Sequence, residues 1–342
     1  MCELLALCFN VRVDFRLSIR VFRGRGVENP DGWGVAFYPD RAAVVVKEAA
    51  RSTDSGLLGF LSGYGRVRSK IFIAHVRRAS AGSVAYRNTH PFLRELGGRE
   101  YVFAHNGTLN GVEQLRLGRF RPVGETDSER AFCYLLAGIE ERGVTRWGYG
   151  DFEWLHGRLR ELDGLGTFNC LLSDGEYLFA YHDEEGYNGL HYVWRAAPFP
   201  RVRLVDEDFE VDLQELKEPG ERGYVIATRP LTDEGWLRFA PGELVVFRDG
   251  VIVYRSSMPE LSGGELEVLR FIRGSPHRVS LRAVSGGCSM SLDDARDVIR
   301  RLLGKGLIRQ DSRDRVGWFH EDATFYTNPY MRSKIDRVIR AE

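Results

Sequence analysis

Residues 4–9, Leu4-Leu5-Ala6-Leu7-Cys8-Phe9, constrain the fold more than any other stretch. Successive residues of a strand face opposite sides, so a strand with one wet face alternates apolar and polar side chains. Here both faces are apolar. The segment predicts a strand covered on both sides, and the rest of the chain must supply a layer for each. Just before it, behind Met1 and separated from the apolar run by Glu3, stands Cys2. A small second residue permits removal of the initiator methionine, so the mature chain is expected to begin at Cys2. An α-amine with an ordinary pKa near ~8 would then share a residue with a thiol and could take its proton. Taken alone, the same cysteine reads equally well as a small hydrophobe at a frayed end.

The remainder is long enough to build those layers. The 342 residues allow one large domain and a smaller one. Basic and acidic residues balance at 48 each, which removes any overall field that would steer the chain to nucleic acid or a membrane. No apolar run approaches the ~20 residues of a membrane span, and no export segment opens the chain. Five cysteines (Cys2, Cys8, Cys133, Cys170, Cys288) without a CxxC spacing argue against disulfides or zinc and for a reducing cytoplasm. No cofactor is expected.

A basic helix is expected over 15–22 under an Asp14 cap, as either a solvated face or a flap over an anionic substrate. Asn29-Pro30-Asp31-Gly32-Trp33-Gly34 turns into a strand whose hairpin partner spans 41–47. A helix over 55–62 leads to a buried strand over 70–77 ending in Arg77. A strand over 101–104 delivers His105-Asn106-Gly107. Thr126 and Glu129 have the spacing of a capping box before a helix over 130–142, and a second helix is expected over 152–162. Strands follow over 167–172, 177–182, 192–194, 223–228, 243–247 and 251–254. Many antiparallel strands with helices in separate blocks predict layered α+β architecture. After Met258-Pro259 the pattern changes. Helices over 263–272, 280–284 and 291–303 precede strands over 307–310, 317–319 and 324–326 and a last helix, the order of a winged helix. The expected domains are therefore 2–257 and 258–342.

The motifs together identify a family resemblance. Cys2, a strand ending in Arg77, Asn88-Thr89-His90-Pro91-Phe92, His105-Asn106-Gly107 and Thr126-Asp127 occur in the order seen in class II glutamine amidotransferases, which are N-terminal-nucleophile hydrolases. Asp31-Gly32-Trp33-Gly34, Gly124-Glu125-Thr126-Asp127-Ser128-Glu129, Phe168-Asn169-Cys170-Leu171-Leu172-Ser173-Asp174-Gly175 and Val225-Ile226-Ala227-Thr228-Arg229-Pro230-Leu231 resemble the stand-alone group, over about residues 2–255. The resemblance implies a four-layer αββα sandwich of two antiparallel sheets. It implies Cys2 as nucleophile toward the γ-carboxamide of glutamine or another γ-glutamyl amide, with Asn106 and Gly107 as oxyanion donors. Arg77 would meet the substrate's α-carboxylate and Asp127 its α-ammonium. Ser80 and Gly82 would add hydrogen bonds, His90 would brace its turn beside the substrate, and Trp33 would shape the pocket wall.

Single residues have plainer readings: Asn106-Gly107 as a turn, Asp127 as a first-turn helix carboxylate, Arg77 as a strand-end charge. His75, His90 and His105 match no common zinc spacing, so no metal is expected. Synthase-fused members of the family often carry an aromatic and a histidine where this chain has Arg78 and Ala81, which argues against a tightly gated ammonia channel. The 258–342 segment holds fifteen Lys/Arg and twelve Asp/Glu from Ser257 on. Its candidate recognition helix opens on Asp293 and Asp294, which disfavours phosphate. Arg309, Arg313 and Arg315 on the wing are the contrary sign. Protein docking, either self-association or an ammonia-accepting enzyme, is the expected role. The alternative is a ligand-sensing regulator whose winged helix binds DNA.

Overall fold

The computed structural model describes residues 1–314 and 316–341; Arg315 lies outside them. The chain divides into two units, Met1–Val251 and Ile252–Glu342. In chain order the strands of the first are β1 (Glu3–Asp14), β2 (Gly32–Phe37), β3 (Val44–Glu48), β4 (Arg68–Arg77), β5 (Phe92–Leu96), β6 (Arg99–Leu109), β7 (Gly166–Ser173) and β8 (Leu178–Tyr181). They continue with β9 (His191–Ala196), β10 (Arg201–Arg203), β11 (Glu210–Asp212), β12 (Arg222–Ala227), β13 (Leu237–Arg238) and β14 (Leu244–Arg248). Its helices are α1 (Arg16–Gly24), α2 (Gly56–Gly63), α3 (Asp127–Arg142), α4 (Tyr149–Asp163) and the single turn α5 (Leu213–Leu216).

One sheet runs β13-β9-β12-β1-β4-β2-β3. The doubly apolar opening segment is its central strand, paired antiparallel to β12 (Leu5 opposite Ala227) and to β4 (Leu4 opposite His75). Within this unit the second sheet runs β14-β8-β7-β6-β5. Strand parity divides β1 between two layers. Leu5, Leu7, Phe9 and Val13 join Ile19, Phe22, Leu58 and Leu61 of α1 and α2 in one core on the outer face. Leu4, Ala6 and Cys8 occupy the other face, toward the second sheet, and are fully buried. The sheets are joined by Tyr224 against Phe247, ring centroids 5.0 Å apart. They are joined again by the Tyr38 hydroxyl, which reaches Glu100 O at 3.0 Å and Ser173 O at 3.2 Å. α3 and α4 cover the second sheet's outer face, with Phe132 stacked on Phe103 at 5.2 Å and Phe152 against Phe179 at 6.2 Å. The architecture is α+β, with two antiparallel sheets between helical layers.

Several local expectations change. The basic helix is solvated in part: Arg16 and Arg20 are about half exposed beside Asp14 and Glu207, whereas Arg23 donates to Ser52 O and Thr53 O, and Arg25, just past the helix, is buried on Glu3. Thr126 caps α3 by accepting from Glu129 N at 3.2 Å, but the capping box is half formed. The Glu129 carboxylate accepts from Val123 N, Gly124 N and Arg94 instead, so it anchors the loop before the helix.

In the second unit a capping box does form, between Ser262 and Glu265 at the start of α6 (Gly263–Gly274). Helices α7 (Leu281–Gly287) and α8 (Leu292–Gly304) follow, and Pro329–Met331 leads into α9 (Arg332–Ala341). The expected strand over 317–319 is not one. Gly317 O accepts from His320 N at 3.0 Å, and the segment turns. A strand before α7, Val279–Ser280, pairs with Thr324–Thr327, which also pairs with Ile308–Gln310. Among the described residues no helix is long and apolar enough to cross a membrane.

Candidate active site

Cys2 stands one residue before β1, at the end of the sheet where β4 finishes. Its Sγ lies 3.2 Å from Arg78 N, which donates to it, and 3.2 Å from Arg78 O, which it can approach as a thiol donor. Burial pushes the thiol's pKa up, and the Arg78 N–H, the amino terminus and Arg77 pull against that. The Cys2 carbonyl oxygen accepts from two side-chain amides, Asn106 Nδ2 at 2.7 Å and Asn188 Nδ2 at 3.0 Å. Asn106 comes from β6 in the second sheet, so this contact ties the two sheets at the thiol.

Gly107 follows at φ +156, and its lack of a side chain is required. A Cβ there would lie 1.9 Å from Thr167 O and 2.7 Å from His105 Nε2. His105 is fixed beside it, with Nδ1 2.9 Å from Ser128 Oγ and Nε2 3.1 Å from Thr167 O. A carbonyl can only accept, so Nε2 carries the proton and Nδ1 accepts from the serine hydroxyl. Burial lowers the His105 pKa and keeps the ring neutral.

Arg77 ends β4, nearly inaccessible, and its guanidinium donates to Ala81 O at 2.8 Å, Ser83 O at 3.2 Å and Gly82 O at 3.3 Å. Burial disfavours its charge, while Cys2, Asp31 and Asp127 favour it. Asp31 braces the same loop by accepting from Ala79 N at 2.8 Å. Gly82 has φ +71, and a Cβ would meet Asn88 Nδ2 at 3.0 Å. Ser80 Oγ accepts from Thr108 Oγ1 at 3.0 Å, joining the loop to the end of β6. Asp127, at the first position of α3, accepts from Leu109 N at 2.7 Å and Ser128 N at 2.9 Å. The helix start therefore holds a carboxylate against the strand that bears Asn106.

Two expected site residues are placed elsewhere. Trp33 shares the outer face of the first sheet with Val35 and Phe37, and its Nε1 donates to Glu48 Oε2 at 3.1 Å. Parity thus turns it away from the second sheet, and it is core rather than pocket wall. The His90 ring is buried between His75, 4.4 Å away, and Phe92, 4.5 Å away. Burial drives both histidine pKa values down, His75 to about 3, so this pair is neutral interior packing. Asn188, by contrast, was not singled out from the sequence. It stands at φ +54, in a loop whose neighbours Asn169 and Asp183 supply most of the ties. Asn188-Gly189 reads locally as a turn, and only the fold brings it to Cys2.

Comparison with known proteins gives the family. The family described as "Glutamine amidotransferases class-II" matches residues 1–265. An uncharacterised protein of Methanocaldococcus jannaschii is 46% identical over 347 residues, covering 99% of this chain and 97% of that protein. Escherichia coli YafJ, provisionally named a glutamine amidotransferase, is 42% identical over 253 residues, covering 72% of this chain and 97% of its own. The crystal structure of a predicted glutamine amidotransferase from Pseudomonas aeruginosa superposes with a TM-score of 0.58 at 36% identity, covering 74% of this chain and all of that one. The B. subtilis glutamine phosphoribosylpyrophosphate amidotransferase, at 15% identity and a TM-score of 0.50 over 81% of this chain and 60% of its own, shares the fold. The two-sheet sandwich is the N-terminal-nucleophile hydrolase fold, and the chain belongs to the class II glutamine amidotransferase family.

Proposed function

We propose that the first unit is an amidohydrolase that opens the γ-carboxamide of glutamine, or of another γ-glutamyl amide, through Cys2. The observation that carries this reading is the 2.7 Å contact from Asn106 Nδ2 to the Cys2 carbonyl, which brings an amide donor within one residue of the thiol. Turned toward a bound substrate, that amide would donate to charge developing on a substrate oxygen. The Cys2 sulfur attacks the carbonyl carbon of the γ-carboxamide and its proton passes to a base. The C–N bond then breaks, and the nitrogen takes the proton and leaves as ammonia or an amine. Water adds to the γ-glutamyl thioester, releasing glutamate and restoring the thiol. The α-amine of Cys2 is the base in this scheme, which requires Met1 to be removed.

Arg77 suits the substrate's α-carboxylate and Asp127 its α-ammonium, since each is a buried charge at the same end of the sandwich. In the free protein their hydrogen-bonding capacity is taken by Ala81–Ser83 carbonyls and by Leu109 and Ser128 N–H groups. Binding would exchange some of these partners. The test is incubation of purified protein with glutamine and a panel of γ-glutamyl amides, reading glutamate release and intact mass. A single adduct on Cys2 from a glutamine-like electrophile, on a chain lacking Met1, is expected. Full activity in protein that retains Met1 would refute the amine-base scheme.

The second unit is assigned to protein contact, with itself or an ammonia-using partner. Several of its cations are paired internally: Arg273 on Asp336 at 2.7 Å, Arg282 on Glu321 at 2.5 Å, Lys305 on Glu265 at 2.8 Å, and Arg278 and Arg313 on Asp311.

A further inference from the structure

We infer that Asn188 is a positioning residue for the nucleophile: it holds the Cys2 carbonyl so that Asn106 is free to turn its amide to the reacting centre. This rests on the amidohydrolase reading above. A carbonyl oxygen has two lone pairs, and here each is taken by a side-chain amide, at 2.7 Å from Asn106 and 3.0 Å from Asn188. If Asn106 were the sole donor, movement of its amide toward an oxyanion would release the Cys2 peptide just as the thiol must be held in line. With Asn188 in place the carbonyl keeps a partner through that step.

The loop that carries Asn188 is built to hold it there. One Asp183 oxygen accepts from Glu185 N at 2.9 Å and Tyr187 N at 3.0 Å, and the other from Phe168 N at 2.7 Å. Asn169 Nδ2 donates to Tyr187 O at 2.7 Å, while its Oδ1 meets His182 Nδ1 at 2.7 Å and accepts from Asp183 N at 3.1 Å. Both backbone neighbours of the contact are left-handed, Asn188 at φ +54 and Gly189 at φ +69. Asparagine is among the few residues with a side chain that accept this conformation at small cost, and it also supplies the donor. The anchor residues Phe168 and Asn169 lie opposite Gly107 and Asn106 in the β6–β7 ladder. One ladder therefore sets both amides on one oxygen.

The conformation makes the test clean. Asn188→Gly keeps the left-handed backbone and deletes only the amide, whereas Asn188→Asp keeps shape and sets a carboxylate against the carbonyl. With glutamine as substrate, Asn188→Gly should lower kcat about tenfold, the worth of one hydrogen bond, with KM within about twofold. Asn188→Asp should lose at least as much. The rate of Cys2 alkylation by iodoacetamide, a displacement with no oxyanion, should stay within about twofold in Asn188→Gly, with the melting temperature unchanged. A kcat within twofold of the unaltered protein would overturn the inference while leaving the amidohydrolase reading intact. A parallel fall in alkylation, or a loss confined to KM, would also overturn it. Failure of the unaltered protein to turn over glutamine or any γ-glutamyl amide would overturn both.

Discussion

The Glu3 carboxylate lies 3.3 Å from the Arg25 guanidinium, both side chains about 4% exposed, one residue along from the candidate nucleophile. Glu3 also forms an ion pair with Arg229, 2.6 Å from its Nε, and accepts from the Thr228 hydroxyl, and Thr228 in turn accepts from Leu4 N. Arg25 goes on to Asp206 at 2.5 Å and to Pro230 O at 2.9 Å. The strand start that presents Cys2 is thus tied to the segment after α1 and to the loop after β12.

Removing one partner from such a cluster leaves buried charge uncompensated. Arg25→Met is expected to destabilise the first unit by about 3 kcal/mol, the lower end for a broken buried pair because Arg229 remains on Glu3. Urea denaturation measures it. A change below about 0.5 kcal/mol would show that the cluster is solvated in solution.

Asn106 and Arg77 should separate kinetically. Asn106→Ala is expected to lower kcat on glutamine roughly 100-fold with little change in KM, because its amide acts on charge that exists only in the transition state. Arg77→Lys is expected to raise KM roughly tenfold with a smaller effect on kcat, since a point ammonium replaces a planar fork toward a carboxylate already charged in the ground state. Steady-state kinetics decides. Asn106→Ala acting on KM alone would reverse the two assignments.

What was legible in the sequence followed from parity and from contiguous motifs. A run apolar on both faces is central in the sheet; Cys2 precedes β1, Arg77 ends β4 and Asp127 opens α3, while Asn106 lies within β6 and reaches the Cys2 carbonyl from the second sheet. Trp33 is expected as a pocket wall from the family resemblance, while the parity it shares with Val35 and Phe37 sends it to the other face. His90 looked polar by type, yet burial between His75 and Phe92 leaves it neutral packing. Asn188 was invisible for a different reason. Its contact spans 186 residues of chain, and nothing local distinguishes it from an ordinary turn. The short pair β10–β11 and strand β5, with Arg94 and Glu95 inside it, carry too little alternation to announce themselves.

Asp163 gives the first unit a pH dependence. It ends α4 and accepts at Oδ2 from the Tyr181 hydroxyl and Glu184 N, both at 2.7 Å. Burial pushes its pKa up to about 7, the two donors oppose that, and the nearby Asp183 carboxylate adds to it. The folded state therefore favours the neutral carboxyl more than the unfolded chain does. Its contribution to stability is complete below about pH 4 and is lost as pH rises through about 7. Asp163→Asn, neutral at every pH and still able to accept both hydrogen bonds, should flatten the unfolding free energy across that window. Equal slopes for the two proteins in urea titrations from pH 4.5 to 7.5 would refute the shift. Because Asp183 also ties the Asn188 loop, the comparison is best made alongside glutamine turnover.

The second unit should not bind duplex DNA tightly. Nucleic-acid affinity at physiological salt depends on unpaired Lys and Arg that neutralise phosphates. The first turn of α8 carries Asp293 and Asp294, Arg296 is engaged by Asp293 and by Phe319 O, and Arg301 and Lys305 share Glu265. A recognition helix places that first turn against base edges, where these carboxylates would face phosphate and acceptor groups. The full-length chain is expected to bind mixed-sequence and genomic duplex fragments at 150 mM salt no more tightly than about 10⁻⁵ M, the range of non-specific contact. The same protein should show a concentration-dependent mass in analytical ultracentrifugation, or capture an ammonia-consuming enzyme as a stable complex. Binding of one duplex sequence at nanomolar Kd, with a steep salt dependence, would replace the docking assignment with the regulator reading.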